Sequence, residues 1–262
     1  EGFEYGPLTL GYTMDLLFAL HSAGQDDTEK RGQQVSWSQN PFWKEALPGY
    51  IHSLAPSLHS LDWPGPYHDY ASFGDMETYE PYSGVQNDPI LYFGPLAIMA
   101  REAGDQQTFD TIRWIEENLP PGGTKEGQIE QRSGSIYSPQ NAIGYFMLMD
   151  PDAGPSVDPR GSMPLDYYAE GLRFLFSRTG WGQEDSYFTY QVTWTGIDHR
   201  HADANNFGLH RKGEWITKEH AGYGAYESAV HNNVSIENDK PSHDDDLSTK
   251  IWQTGSQVTY GA

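Results

Sequence analysis

The sequence has no cysteine and few basic residues. Without cysteine, disulfides and thiolate chemistry are excluded, and a zinc site would need His, Asp or Glu. The chain has 16 Lys and Arg against 37 Asp and Glu, for a formal net charge of −21. That balance argues against nucleic acid and anionic lipid as partners, because both need a basic surface. A polyanionic substrate remains compatible, since a local basic cleft can coexist with an acidic exterior.

Long apolar runs are also missing. No stretch approaches the ~18 apolar residues that span a bilayer, so we expect no membrane insertion. The sequence begins EGFEYG, without a methionine, and we expect it to be a piece of a longer protein. Aromatic residues are plentiful, at 14% of the chain. Their flat side chains suit sugar binding, and an aromatic-rich core is the alternative interpretation.

Helical spacing dominates the first 160 residues. PLTLGYTMDLLFALHSAG places Leu10, Met14 and Leu17 on one helical face, with Gly24 as the stop. PFWKEALPGYIHSLAP is a shorter helix candidate. DPILYFGPLAIMAREAG follows an N-cap at Asp88 and ends near Gly104. DQQTFDTIRWIEENLPP carries one more apolar stripe, formed by Phe109, Ile112 and Ile115.

An aromatic segment, LDWPGPYHDYASFGDMETYEPYSG, separates two of these helices and is predicted to be a long loop. A compact domain rarely carries such a loop without a use. Tyr67, His68 and Tyr82 are therefore candidates for lining a sugar groove, and capping of helices is the alternative.

The pattern changes after the Pro/Gly/Asp-rich stretch MDPDAGPSVDPRGSMP, a linker candidate. LRFLFS, SYFTYQVTW and AVHNNVSIEN alternate in a strand-like way, and NFGLHRKGEWIT is typical of a hairpin turning at Lys212–Gly213. We therefore expect a helical domain over residues 1–160 and an antiparallel β domain over residues 161–262.

Histidines and carboxylates cluster in the β part. His199 and His201 lie two residues apart, so a strand would place them on one face. Glu219, or His220 beside it, and His231 follow on later segments that hairpins can bring alongside. Three such N/O ligands form a reasonable zinc shell, whereas ordinary surface histidines are the alternative. His210, His220 and His243 are expected to be surface residues.

These segments resemble the heparinase II/III-like polysaccharide lyases. DHRHADANNFGLHRKGEWITKEHAGYG followed by HNNVSI is similar to the signature of their β domain, a His-x-His-x-Asp start and a later His-Asn. EGFEYG resembles a Glu-Gly-x-x-Tyr-Gly segment of their helical toroid, which related uronate epimerases share. The resemblance covers residues 1–24 and 164–262. It implies an α+β multidomain fold, with part of an (α/α) toroid followed by an antiparallel β-sandwich.

The resemblance also implies roles for individual residues. Tyr5 matches the catalytic tyrosine, with Tyr12 as the fallback, and His199 is the histidine that faces the substrate. His201 and His231 are implied zinc ligands.

The acidic zinc ligand should lie just before AGYG, where Glu219 is favoured and His220 stays open. The family more often has Asp there, one residue closer to His201. The zinc itself is expected to be structural.

The implied activity is β-elimination on a uronic-acid polysaccharide, either alginate-like or a glycosaminoglycan. Two alternatives stay open: a uronate C5-epimerase, which returns the proton it removes, and a non-catalytic carbohydrate-binding protein. We expect an acidic polysaccharide as partner and a secreted or periplasmic location, and we leave open a homo-oligomer. Members of the family are usually longer, and an earlier part of their toroid neutralises the substrate carboxylate.

Overall fold

Helices come first in this chain and an antiparallel sheet follows. The computed structural model describes residues 2–60, 66–73, 89–119, 144–146, 148, 154–192, 203–219 and 231–233. The α-helices are α1 (Gly2–Ser22), α2 (Thr28–Arg31), α3 (Pro41–Ser53), α4 (Ile90–Glu102) and α5 (Gln106–Asn118). The strands are β1 (Leu54–Ser60), β2 (Pro66–Tyr70), β3 (Asp166–Ala169), β4 (Phe174–Arg178), β5 (Tyr187–Gln191), β6 (Phe207–Arg211) and β7 (Glu214–Thr217). The predicted α+β class is confirmed.

Glycines end two helices at the predicted places. Gly24 has φ +62 and Gly104 has φ +76, a left-handed conformation that a glycine adopts without a steric penalty. After α1, the amide of Gln25 donates to the carbonyl of Leu20 at 2.7 Å, and Gly24 donates to His21 at 2.9 Å. This pair of bonds satisfies the last carbonyls of the helix.

A single apolar cluster joins α1, α3, α4 and α5. Met14 on α1 and Phe93 on α4 are completely buried in it, and the predicted stripe on α5 is buried there as well. At the start of α5, Asp105 accepts a hydrogen bond from the amide of Thr108 at 3.2 Å and so caps the helix. The Asp88 cap predicted for α4 lies outside the described residues. Among those residues, no helix is both long and apolar enough to cross a bilayer.

The helical half also contains a β-hairpin that the sequence did not predict. The helix expected over PFWKEALPGYIHSLAP ends at Ser53, where β1 begins, and β2 falls in the supposed aromatic loop. Residues 51–57 are buried without interruption, which removes the alternation that marks a strand. Pro56 sits where the β1–β2 register shifts, and a bulge tolerates a residue that cannot donate to the ladder.

The second half forms a five-stranded antiparallel sheet in the order β3-β4-β5-β6-β7. Each strand pairs with the next one along the chain. The predicted turn between β6 and β7 is confirmed: Lys212 and Gly213 both have positive φ, at 53 and 89. Such turns match the twist of the flanking strands.

One face of this sheet packs against the β1–β2 hairpin. Phe174, Phe176 and Tyr187 form the buried apolar part, together with Ala55, Ala71 and Phe73 from the hairpin and its continuation. The strand predicted over SYFTYQVTW is present as β5. Its polar side chains Thr189 and Gln191 face the buried side of the sheet. The buried face therefore changes from aromatic to polar along β5.

Candidate functional site

The polar end of the buried face gathers side chains from four separate segments. Hydrogen-bonding residues that are at least nine-tenths buried lie at the end of β5, before β6, after β7 and in residues 231–233. They are Thr189, Gln191, Asp203, Asn206, Glu219 and His231. Because buried polar groups need partners, their hydrogen bonds define how the segments fit together.

The segment before β6 is fixed to β5. The side-chain amide of Gln191 donates to Asp203 at 3.1 Å, and its backbone amide donates to the carbonyl of Asn206 at 2.9 Å. In return, the amide of Asn205 donates to the carbonyl of Gln191 at 2.8 Å. Asp203 is therefore held at the polar end of the sheet, two residues after the candidate ligand His201.

Glu219 and His231 form a hydrogen-bonded pair at this end. The pair joins Nδ1 of His231 to Oε1 of Glu219, and both side chains are shielded from solvent. Between the two alternatives for the acidic ligand, the structure thus brings Glu219 to His231, whereas His220 lies outside the described residues.

A strand was predicted over AVHNNVSIEN, and this prediction is wrong for its described part, residues 231–233. His231 and Asn232 form a bend. Asn232 donates from its side chain to the carbonyl of Lys218 at 2.9 Å and accepts from the amide of Phe207 at 3.2 Å. These contacts with the ends of two strands replace the ladder that a strand would make.

The structure describes only some of the remaining predicted site residues. His199 and His201 lie outside the described residues. Tyr5 lies on α1, where its side chain is not described, and Tyr12 on the same helix is 69% exposed. The proposed pairing of a tyrosine with His199 therefore stays a prediction.

The aromatic sugar-groove candidates are similarly incomplete. His68 is directed inward, with its Nδ1 2.8 Å from the carbonyl of Ala55, and burial lowers its pKa. The side chain of Tyr67 is not described, and Tyr82 lies outside the described residues, as does His243.

The donor set at the polar end suits zinc. Glu219 offers a carboxylate and His231 an imidazole, both in a site from which water is excluded. Within the ranges that the structure describes, no group of three or more potential ligands comes together. The third predicted ligand, His201, falls outside those ranges, only two residues from Asp203.

His210 was predicted to be a surface residue, and the structure shows that it is fully buried. Its Nε2 lies 2.7 Å from the hydroxyl of Ser57, and its ring meets Trp215 edge-on at 5.4 Å. Ser57 belongs to the unpredicted strand β1. The burial of His210 therefore could not be inferred without the hairpin.

A carboxylate from the hairpin reaches the strand that leads to Glu219. Asp69 accepts from Nε1 of Trp215 at 2.9 Å and from Nζ of Lys218 at 2.7 Å. Asp69 is 8% exposed, so this ion pair is largely removed from water. The hairpin and the candidate metal site are thus joined through Lys218, the neighbour of Glu219.

His52, at the end of α3, forms a second junction between the two halves. Its carbonyl accepts from Nη2 of Arg178 and from the hydroxyl of Tyr187, both at 2.7 Å. Its ring is fully buried and stacks on Tyr167 at 4.9 Å. Burial lowers the pKa of His52 to about 4, and the nearby charge of Arg178 acts in the same direction.

Comparison with known proteins gives limited similarity. No protein-family model and no curated protein sequence matches the chain. Among solved structures, a mutant of heparan sulfate lyase HepC from Pedobacter heparinus aligns with 87% of this chain at 15% identity. A second structure of this lyase aligns with 87% at 14% identity, and the TM-score is 0.42 for both. The chain covers 29% and 26% of those two proteins, so their activity is not transferred to it on this likeness.

Proposed function

We propose that this chain is part of a zinc-containing polysaccharide lyase that acts by β-elimination on a uronic-acid polymer. The observation that carries the proposal is the buried Glu219–His231 pair at the polar end of the sheet. These are two of the three ligands implied by the lyase-like motif, and they come from segments 12 residues apart. The proposal includes a helical domain over residues 1–160 and a β domain over residues 161–262.

His201, Glu219 and His231 would hold the zinc. His201 precedes Asp203, whose segment contacts both Gln191 and, through Phe207, the 231–233 bend. A bound zinc would fix these segments relative to one another and orient the motif that contains His199. The contribution proposed for the metal is therefore to organise the β domain beside the substrate.

The acid and base chemistry is assigned to Tyr5 and His199. β-Elimination removes the proton at C5 of the uronate and expels the oxygen at C4. One group must take the proton and another must protonate the leaving oxygen. Tyrosine can serve when a nearby cation lowers its pKa from about 10, and histidine titrates near neutral pH.

The substrate proposed for this reaction is an acidic polysaccharide, alginate-like or a glycosaminoglycan. A secreted or periplasmic location follows from such a substrate and belongs to the same proposal. The negative charge that builds on the substrate carboxylate needs neutralising groups. We assign those groups to parts of the protein outside this chain.

Product analysis tests the activity. The full-length protein is incubated with alginate, heparan sulfate, chondroitin and hyaluronan while the near-ultraviolet absorbance of unsaturated uronate is recorded. We expect a rise on one polymer that Tyr5→Phe and His199→Ala abolish. Tyr12→Phe is the matched control on the same helix and should retain the rate. Proton exchange at C5 without absorbance would instead identify an epimerase, and binding without either would identify a carbohydrate-binding protein.

Metal analysis tests the site separately. We expect the purified protein to hold about one zinc per chain, and Glu219→Gln or His231→Gln to lose most of it. His21→Gln, a histidine on α1 distant in sequence from the site, should retain the metal. Unchanged zinc content in both site variants would contradict the assignment of these ligands.

A further inference from the structure

Arg178 is a buried cation without a described carboxylate partner. Its residue exposure is only 6%, and its Nη2 donates to the carbonyls of His52 and Leu54 at 2.7 and 3.1 Å. Among the described residues, its Nε has no hydrogen-bond partner. The carboxylate of Asp185 acts on the charge of Arg178 from beyond ion-pair distance and does not bond to it. Buried charges in proteins are ordinarily paired, so this guanidinium calls for a counter-charge.

Two neighbours of Arg178 also carry shielded nitrogens without partners. These are Nε1 of Trp181 and both ring nitrogens of His52, again within the part of the chain that the structure describes. The three side chains are in contact: Cζ of Arg178 lies 4.1 Å from the centroid of the Trp181 ring, and the His52 ring lies 5.1 Å from the same ring. Four unsatisfied nitrogens are thus concentrated in one cluster, which we call the junction cluster (His52, Arg178 and Trp181).

The chemistry of the junction cluster favours an anion. Arg178 and Trp181 each present one N–H that can only donate, and neutral His52 adds a third donor from one ring nitrogen. A water molecule could accept two of these hydrogen bonds, but it carries no charge, whereas an anion would offset the buried charge of Arg178 directly. The nearby Arg160 cannot supply a counter-charge either, because it is itself a cation and is paired with Asp158 at 2.7 Å.

We propose that the junction cluster binds a small inorganic anion, of the size of a halide, against the N–H groups of His52, Arg178 and Trp181. The anion would stabilise the contact between the end of α3 and the β4–β5 turn. This inference does not rest on the lyase proposal, because it concerns other residues and another ligand.

Thermal unfolding in bromide tests the site. The melting temperature of the full chain is measured in sodium bromide and in sodium gluconate, at equal ionic strength and without chloride. A ligand that binds only the folded state raises the melting temperature with concentration, so we expect a rise of a few degrees in bromide. Equal melting temperatures in the two salts would overturn the proposal.

Two tryptophan variants separate the site from a general salt effect. Trp181→Phe keeps an aromatic face beside Arg178 but removes one N–H, and it should lose most of the bromide response. Trp114→Phe is the matched control, because Trp114 also lies under an arginine, with Cζ of Arg160 4.8 Å from its ring centroid. It should respond as the unmodified protein does, and an equal response in both variants would contradict the proposal.

Diffraction gives a readout that does not depend on any variant. Crystals of the unmodified protein grown in bromide are measured at the bromine absorption edge. An anomalous peak within hydrogen-bond distance of Nε of Arg178 supports the site. A water molecule there without anomalous signal, or an empty cluster, overturns it.

Discussion

The helical core and the junction between the hairpin and the sheet are built from different interactions. In the core, α1, α3, α4 and α5 surround one large apolar cluster in which Phe93 and Ile112 are completely buried. At the junction, the buried apolar cluster has six members among the described residues. The junction also contains buried hydrogen bonds between residues that are far apart in sequence. They involve His52, Ser57 and Asp69.

Because of this difference, we expect the two regions to respond to different kinds of substitution. A packed apolar core responds to lost volume, because its surroundings collapse only partly around a cavity. A junction made of buried hydrogen bonds and charges responds to lost partners and to protonation. Since the junction includes Lys218, next to Glu219, changes in charge there are expected to reach the candidate metal site, whereas cavities in the core are not.

The largest effect is expected from Phe93→Ala in the helical core. Removing a fully buried aromatic ring should lower the free energy of unfolding by about 3–5 kcal/mol, without altering its pH dependence. Denaturant unfolding measures this loss. Phe42→Ala is the control, because Phe42 is 45% exposed, and it should cost less than about 1 kcal/mol. Similar losses in both variants would contradict the description of the core.

The next effect is expected from Asp69→Asn at the junction. The amide keeps the shape but removes the negative charge that pairs with the largely buried ammonium of Lys218, at a cost of about 2–3 kcal/mol. We also expect weaker zinc retention, because Lys218 adjoins Glu219.

Asp27→Asn provides the matched control for Asp69→Asn. Asp27 pairs with the exposed Lys30 at 2.8 Å and caps α2, and asparagine is also a good cap. This exposed pair should contribute little to stability, because solvent screens it. Equal losses of stability in both variants would contradict the larger contribution expected from the buried pair.

A third prediction concerns the pH dependence that His52 gives the junction. The pKa of His52 is about 4 in the folded protein and 6.5 ordinarily. As the pH falls from 6.5 towards 4, the unfolded chain takes up a proton that the folded chain excludes, so stability falls in this window and is unaffected above it. By pH 5 we expect a loss of roughly 2 kcal/mol relative to pH 7, since each pKa unit corresponds to about 1.4 kcal/mol.

His52→Phe tests this dependence, since phenylalanine keeps the stack on Tyr167 and cannot be protonated. Unfolding free energies measured between pH 4 and 7 in chloride-free buffer should show a shallower decline in the variant. An unchanged decline would place the acid sensitivity elsewhere.

The comparison also explains which parts of the fold were predictable. Periodicity identified the helices of the core, and Gly24 and Gly104 ended two of them where expected. These signals are local, because the residues that determine each helix and its end lie close together in the sequence. The Lys212–Gly213 turn is local in the same way, because its backbone conformation depends on the two turn residues.

The junction was not predictable because its determinants are distant in the sequence. Ser57 and His210 are 153 residues apart, and Asp69 and Lys218 are 149 apart. Continuous burial also hid β1, because a strand covered on both faces loses its alternation. Of the candidate site, the association of Glu219 with His231 was anticipated from the motif, whereas the bend at Asn232 that fixes it depends on three-dimensional contacts.

The smallest effect is expected at His21, where the sign of the pH dependence is opposite to that of His52. Its ring bridges Asp26 and Glu102, at 2.6 and 2.9 Å, and so ties the end of α1 to the end of α4. Hydrogen bonds to Asp26 and then Glu102 raise the pKa of His21 above 6.5. The stabilisation is therefore full at pH values below 6.5 and is lost as the pH rises through the folded pKa.

An NMR titration of the His21 ring in the folded protein measures this pKa directly, and a value at or below 6.5 would contradict the prediction. His21→Gln should be slightly less stable than the unmodified protein in acid, and the two should converge at alkaline pH. The loss should be small because the carboxylate of Glu102 is 57% exposed and the interaction is screened by water. In a double variant with His52→Phe, both histidine contributions should disappear. The remaining pH dependence would then come from the other titratable groups, among them His68, whose pKa burial lowers.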